Sequence, residues 1–300
     1  MGGALAARDR PFHGRIAAGR TMTGTGDARP LSPYAPLPCS RPVPPGSRIV
    51  LGHRGAPSLA PENTLASIRR AARAGASWVE IDVDVIGDGT PIVIHDSSLD
   101  RTTDRTGSYY DLSRAELEDI DAGSWFIADD GSRPYAGERL PTLARALEAI
   151  AAEGLSVIVE MKPCEAGARA CAGLVDAVAE HLDLFAVRAP GSQAVVSSFN
   201  PLLLDRMGRR RPATRLALLM EAGLPTGDWR SRAEALGVEA INPADEGLER
   251  ELVEQMRALG YGVNVWTINS PERAEELFSW GVSGIFTDRI HELGQLVTEM

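Results

Sequence analysis

Residues 78–85 read W-V-E-I-D-V-D-V. The run is rich in β-branched residues, and strand side chains alternate with period two, so Glu80 and Asp82 project on one face and Val79, Ile81 and Val83 on the other. Similar short runs recur on both sides of it. They are R-I-V-L-G-H (48–53), S-V-I-V-E-M (156–161), A-V-V-S-S-F (194–199), T-R-L-A-L-L-M (214–220), V-E-A-I-N (238–242), G-V-N-V-W-T (262–267) and G-I-F-T (284–287). With 78–85 they predict eight strands. Stretches of helical spacing follow them, for example Thr64–Ala74, Leu143–Ala152, Arg169–His181 and Glu249–Leu259. Gly75, Gly154, Gly237, Gly260 and Gly281 stand just past predicted helices, where a left-handed residue ends the last turn.

Eight β-then-α units in series predict a parallel sheet. Closed, it is a (β/α)₈ barrel; open, it is doubly wound. No G-x-G-x-x-G follows the first strand, which weakens the dinucleotide-binding alternative. One segment breaks the rhythm. G-D-G at 87–89 predicts a hairpin turn into a short β run, P-I-V-I-H (91–95), and a polar stretch to about Arg139 reads as an insertion at the barrel mouth.

The bulk composition excludes several classes. At 300 residues and 44% hydrophobic, the chain has enough apolar surface for a large core. No apolar run approaches the roughly 20 residues of a membrane span. A formal net charge of −10 argues against sequence-independent nucleic-acid binding and against docking on anionic membrane. Cys39, Cys164 and Cys171 form no C-x-x-C pair and suggest neither a disulfide scaffold nor a zinc site. The first 48 residues carry seven arginines against two aspartates, with a proline-rich run and no periodic apolar face. Residues 1–47 are expected to be disordered and 48–300 to form the barrel, with Met22 an alternative start. The head lacks the apolar core of a secretory signal, so a cytoplasmic location is expected.

In a parallel barrel, functional side chains gather at the C-terminal strand ends and the loops after them. His53-Arg54, Glu62-Asn63, Glu80, Asp82, His95, Glu160, Lys162 and Trp266 all fall there. Two carboxylates on one inward face are costly unless compensated, and Glu160 on a neighbouring strand adds a third. A hard divalent cation, Mg²⁺ or Ca²⁺, suits such an all-oxygen set; a solvated acidic surface is the bland alternative. His53 and His95 close β runs at the same end and suit a general acid and base near neutral pH. Lys162 is the sole lysine among 31 Lys+Arg, and it shares a face with Glu160. A compact ammonium beside an ion can neutralise a phosphate, with Arg54 as second positive contact. This set predicts binding and cleavage of a phosphate ester. A Schiff-base lyase using Lys162 is another chemistry open to a lone barrel lysine, although neighbouring carboxylates would keep the amine protonated.

Taken in order, H-R-G-A (53–56), A-P-E-N-T (60–64), V-E-I-D-V-D (79–84), D-G-T-P-I-V-I-H-D-S-S-L-D-R-T-T (88–103), D-A-G-S-W-F (121–126), L-P-T-L (140–143), V-E-M-K-P (159–163), S-S-F-N (197–200), V-W-T-I-N (265–269) and G-I-F-T-D-R (284–289) resemble the glycerophosphodiester phosphodiesterases. The resemblance implies a (β/α)₈ TIM barrel with a small insertion after strand two, roughly 97–139. It implies metal-dependent hydrolysis of glycerophosphodiesters to sn-glycerol 3-phosphate and an alcohol. It implies acid and base roles for His53 and His95, one divalent ion on Glu80, Asp82 and Glu160, and phosphate contacts from Arg54 and Lys162. Attack by the substrate's own glycerol 2-hydroxyl, through a cyclic phosphate, is the implied route. Glu62 and Asn63 would orient these groups. Trp266 would wall the glycerol or leaving-group side, and plain packing is the other role open to it. Isoleucine follows T-D-R where family members commonly have proline, a change in a loop. A lysophospholipase D-type activity on related lipids is the alternative within this chemistry.

Overall fold

The computed structural model describes Cys39, Val43, Pro44 and residues 46–162, 164–223 and 226–296. The strands are β1 (Ile49–Gly52), β2 (Trp78–Val85), β3 (Pro91–Val93), β4 (Ser156–Met161), β5 (Ala194–Ser198), β6 (Arg215–Met220), β7 (Ala240–Pro243), β8 (Gly262–Val265) and β9 (Gly284–Thr287). Among the described residues β1, β2 and β4–β9 pair in parallel, and β1 pairs with both β2 and β9, which closes an eight-stranded barrel. β3 is the antiparallel hairpin partner of β2, with Val83 opposite Val93. The turn at 87–89 closes it, with the amide of Ile86 donating to Thr90 O at 3.1 Å. The barrel is the closed form of the two expected from the β/α rhythm, a TIM barrel with an insertion after the second strand.

The helices lie outside the strands because each carries one apolar stripe. They are α1 (Leu65–Arg73), α2 (Leu143–Ala152), α3 (Ala168–Arg188), α4 (Pro201–Arg210), α5 (Trp229–Leu236), α6 (Arg250–Ala258), α7 (Pro271–Ser279) and α8 (Ile290–Leu293). Their starts follow elementary capping chemistry. Thr64, Asn200 and Ser270 accept from an amide of the first turn, and Pro201 and Pro271 stand where a missing N–H costs nothing. The five glycines expected past helix ends all have positive φ, from 62° to 92°.

Three apolar clusters follow from this arrangement. The main one lies between strands and helices and takes Val79, Ile81, Val83, Val157, Val159 and Ile285 from the outward strand faces. A smaller one fills the barrel interior at its N-terminal end with Leu51, Ile158, Val195, Ala217, Ala240 and Phe286. The third sits under the insertion, from Ile92, Ile94, Leu99, Tyr109, Leu117 and Ile120. Asp84, in phase with Glu80 and Asp82, ties that insertion down. Its Oδ2 accepts from Tyr109 at 2.8 Å and Tyr110 at 2.6 Å, and the Tyr110 hydroxyl in turn accepts from the Glu165 amide at 2.9 Å.

The expectation for residues 1–47 falls largely outside the described residues. Of those described, the amides of Cys39 and Val43 donate to Leu259 O and Gly260 O, at 2.7 and 3.1 Å. A cavity of about 1060 Å³ opens at the N-terminal end of the barrel, against Ile49, Trp78, Arg215 and Glu239, and none of the expected site residues lines it. No helix among the described residues is long and apolar enough to cross a membrane.

Candidate active site

The interior of the barrel changes character from one end to the other along the same strands. Trp78 and Ile158 belong to the apolar layer at the base, and two and four residues further on the same alternation delivers Glu80, Asp82, Glu160 and Lys162 to the C-terminal end. Asp82 and Glu160 are direct register partners across β2 and β4. Glu80, Asp82 and Glu160 are buried and offer one oxygen each within 4.8 Å of one another.

The electrostatics of this trio test whether it fits a cation. Burial, then Asp82, then Glu160 push the Glu80 carboxyl well above the usual carboxylate range. Burial and Asp82 push Glu160 up to about 7, against the pull of Lys162. Asp82 is the exception: burial opposes its charge, but Lys162, Arg54 and His95 together hold it far below the ordinary value. Glu80 Oε2 accepts from the Arg54 amide at 3.0 Å, while its Oε1 is buried with no hydrogen-bond partner. A buried carboxylate oxygen left over beside two others is a donor set for a hard divalent ion. The residues present fit such a group.

Lys162 Nζ stands 2.6 Å from Glu160 Oε1 and 3.3 Å from Asp82 Oδ1. Burial pulls its pKa down, but Asp82 and Glu160 outweigh it and raise it above the ordinary ammonium value. The amine is therefore a cation and not the neutral nucleophile a Schiff base requires. Arg54 donates from Nη1 to Glu62 Oε1 (2.8 Å) and forms an ion pair with Asp82, its Nε 3.2 Å from Oδ2 but not aligned for a hydrogen bond. Asn63 grips Asp82 twice: its Nδ2 donates to Oδ2 at 2.8 Å and its Oδ1 accepts from the Asp82 amide at 3.2 Å.

The β1–α1 loop that carries these groups is tightly wound. Arg54 and Asn63 have φ of 52° and 58°, a region that costs a non-glycine residue of order 1 kcal/mol. Gly55, with φ of 90°, is required there. A Cβ on it would sit 2.4 Å from Ser67 Oγ, which accepts from the Ala56 amide and donates to Arg54 O. The loop's shape, and with it the direction of Arg54, depends on that glycine.

Each histidine has its own aspartate. His53 Nδ1 is 2.7 Å from Asp288 Oδ1, and His95 Nδ1 is 2.6 Å from Asp96 Oδ1. Asp288 is held below the ordinary range despite burial, first by its bond to His53. Asp96 is held below it first by Arg101. An ionised carboxylate only accepts, so each imidazole donates from Nδ1 and keeps Nε2 for other chemistry. His95 titrates below the ordinary imidazole value, through burial and the Lys162 and Arg54 charges, against the pull of Asp82.

Nine of the ten expected site residues are thus brought together at the C-terminal end of the barrel; Trp266 directly follows β8 at that end and packs against the apolar interior cluster. Its Nε1 donates to Asn242 O at 3.0 Å, and its ring meets Phe199 edge-on at 5.6 Å. The sequence assigns no role to Asp96, Asp288, Arg101 or Asn269, although Asp96 and Asn269 stand at strand ends. Asp96 and Asp288 directly follow a strand or a strand-end histidine inside quoted motifs, and that position was the available signal. Asn269 Nδ2 donates to Asp288 Oδ2 at 2.8 Å, and its Oδ1 accepts from the Asp288 amide at 2.9 Å.

A model of the glycerophosphoryl diester phosphodiesterase family matches residues 53–292. A glycerophosphodiester phosphodiesterase of Caldanaerobacter subterraneus subsp. tengcongensis is 32% identical over 251 residues, which are 83% of this chain and 97% of that protein. One of Bacillus subtilis is 29% identical over 245 residues, 80% and 83% of the two chains. Among solved structures, a phosphodiesterase of Oleispira antarctica in complex with the product sn-glycerol-3-phosphate superposes with a TM-score of 0.76 at 34% identity, covering 82% of this chain and 95% of its own. The glycerophosphodiester phosphodiesterase of Agrobacterium tumefaciens gives 0.64 at 27% identity, over 83% and 100%. The match from the first site histidine to the last helix, together with these relatives of nearly full length, establishes that the chain belongs to the glycerophosphoryl diester phosphodiesterase family.

Proposed function

We propose that the chain hydrolyses glycerophosphodiesters to sn-glycerol 3-phosphate and an alcohol, with His53 and His95 as the acid–base pair. The observation that carries the reading is the pairing of two aspartate-oriented histidines with a buried carboxylate trio and two cations at one barrel end. Family membership and the product bound to the Oleispira antarctica relative support the substrate class.

Glu80, Asp82 and Glu160 would hold one divalent cation, Mg²⁺ or Ca²⁺, which when bound polarises a phosphate oxygen and offsets developing charge. The chain's own residues do the rest. Arg54 and Lys162 neutralise the phosphate, and Glu62 and Asn63 fix the directions of Arg54 and Asp82. One imidazole Nε2 takes the proton of the substrate's glycerol 2-hydroxyl as that oxygen attacks phosphorus. The other imidazolium gives its Nε2 proton to the departing alcohol oxygen. The cyclic phosphate is then opened by water with the two proton roles reversed. Trp266, whose ring meets Phe199 edge-on, would wall the glycerol or leaving-group side.

The test is release of sn-glycerol 3-phosphate from glycerophosphocholine, glycerophosphoethanolamine and glycerophosphoglycerol, with Mg²⁺ or Ca²⁺ and again with a chelator. Release that requires metal is expected. No release from any of them by folded protein would overturn the reading, and release from lysophosphatidylcholine alone would move it to the lysophospholipase D type.

A further inference from the structure

Arg101 belongs to the D-S-S-L-D-R-T-T stretch and lies on the insertion, outside the barrel strands. Its guanidinium uses both edges of its fork. Nε and Nη2 donate to Asp96 Oδ2 and Oδ1, at 2.7 and 2.8 Å. Nη1 and Nη2 donate to Glu62 Oε2 and Oε1, at 2.7 and 2.8 Å. The oxygens it holds are the ones already in use. Asp96 Oδ1 also accepts from His95 Nδ1, and Glu62 Oε1 also accepts from Arg54 Nη1 at 2.8 Å. The result is an unbroken chain of polar contacts, His95–Asp96–Arg101–Glu62–Arg54, which joins the end of the β2–β3 hairpin to the β1–α1 loop.

We infer that Arg101 is a positioning residue, one planar cation that sets the orientation of His95 and Arg54 together by clamping both of their carboxylate partners. The inference rests on the reading given under Proposed function and adds a residue to it. The chemistry of the clamp is specific to arginine. Two in-plane bidentate contacts need a guanidinium; an ammonium can touch two carboxylates, as Lys162 does, but cannot grip either one bidentately. Its side chain is 45% exposed, so the two ion pairs add little to global stability. What such a clamp fixes is direction, and near a reacting phosphate a small misdirection is costly.

Among the described residues, no arginine clamps the carboxylate on the His53 side. Asp288 is backed there by the neutral amide of Asn269. Tyr135 also ties the insertion to the β1–α1 loop, donating to Leu59 O at 2.9 Å, but Arg101 is what links it to the carboxylate partners of His95 and Arg54, and the hydroxyls of Tyr109 and Tyr110 on Asp84 hold the insertion where that side chain can act.

The experiment compares Arg101→Ala, Arg101→Lys and, as a control on the same insertion, the exposed Arg105→Ala. Steady-state kcat and KM on glycerophosphocholine are measured beside thermal midpoints and ¹⁵N spectra of the His95 imidazole. Arg101→Ala is expected to lose roughly 30- to 100-fold in kcat/KM with little change in midpoint. Arg101→Lys is expected to lose about 10-fold, and Arg105→Ala to match wild type. Millimolar guanidinium is expected to restore part of the loss in Arg101→Ala and none in Arg101→Lys. His95 is expected to be a single Nδ1–H tautomer in wild type and a mixture in Arg101→Ala. Arg101→Ala within about 2-fold of wild type, with an unchanged His95 spectrum, would overturn the inference. So would a loss of activity that only tracks a lowered midpoint. If wild type cleaves no glycerophosphodiester, the proposed substrate fails, and the His95 spectrum alone decides the role of Arg101.

Discussion

The two histidine arms of the mouth reach the same local geometry by different means. His53 and Asp288 both sit at strand ends of the barrel itself, on the paired β1 and β9, and the carboxylate behind His53 is steadied by a neutral amide. His95 and Asp96 lie at the end of a hairpin, and the carboxylate behind His95 is steadied by a cation from the insertion. The difference teaches where each arm gets its rigidity. The first inherits it from the closed sheet. The second must import it, through Arg101 and through the hydroxyls that bind Asp84.

The sharpest way to break this comparison is to neutralise the two aspartates in turn. Asp288→Asn and Asp96→Asn should each lower kcat/KM by roughly 100-fold, because an amide lacks the charge and can turn its NH2 toward Nδ1, so the imidazole's tautomer is no longer fixed. The backing groups should then separate the arms. Asn269→Ala should cost roughly 10-fold or less, short of the Arg101→Ala loss, since a single bond from a neutral amide to a carboxylate is weaker than a bidentate ion pair. Equal losses for Asn269→Ala and Arg101→Ala would show that the charge of the backing group does not distinguish the arms.

What the arms share is the carboxylate trio beneath them, and its titration sharpens the comparison from below. Glu160 rises from the ordinary 4.5 to about 7, and Glu80 shifts the same way. A raised folded-state pKa means the folded form holds the proton more tightly. The unfolded chain therefore ionises first, and the metal-free protein loses stability as pH climbs from the ordinary carboxylate range to about 7. Asp82 works the other way, contributing stability above its unfolded value that is lost as pH falls through the acid range. A divalent cation binds the ionised carboxylates, so its stabilising increment must grow over the window in which the glutamates ionise. Thermal midpoints with and without Mg²⁺ or Ca²⁺ at about pH 5.5 and about pH 8 check this. The increment should be larger at the higher pH, and equal increments would contradict the assignment.

The smallest effect is expected at the insertion's anchor. Tyr110→Phe removes one hydroxyl from Asp84 and from the Glu165 amide and leaves Tyr109 in place, so it should cost about 1 kcal/mol. Denaturant unfolding measures it. Hydrogen exchange should show the loosening in residues of the insertion and not in β1 or β9.

Much of this was legible in the sequence because the physics involved is local. The eight barrel strands announce themselves as short β-branched runs, and alternation alone places Glu80 and Asp82 on one face. Strand ends then locate the histidines. The supports were legible only in part: Asp96 adjoins His95, but Asp288 is 235 residues from His53. Arg101 lies in a segment with neither helical nor strand periodicity, where sequence pattern assigns no direction to a side chain. Asp84 shares the face of Glu80 and Asp82, yet it serves the insertion's tyrosines, a distinction that depends on which residues cover that end of the strand.

The central claim is that the two histidines act as one proton-transfer unit on a glycerophosphodiester. The direct test is kcat for glycerophosphocholine hydrolysis by His53→Ala, His95→Ala and the double variant, with metal saturating. The account predicts that each single variant falls by about 1,000-fold or more and that the double variant falls little further, as expected for groups that work together. Two independent, multiplying losses, or one single variant with near wild-type kcat, would contradict it.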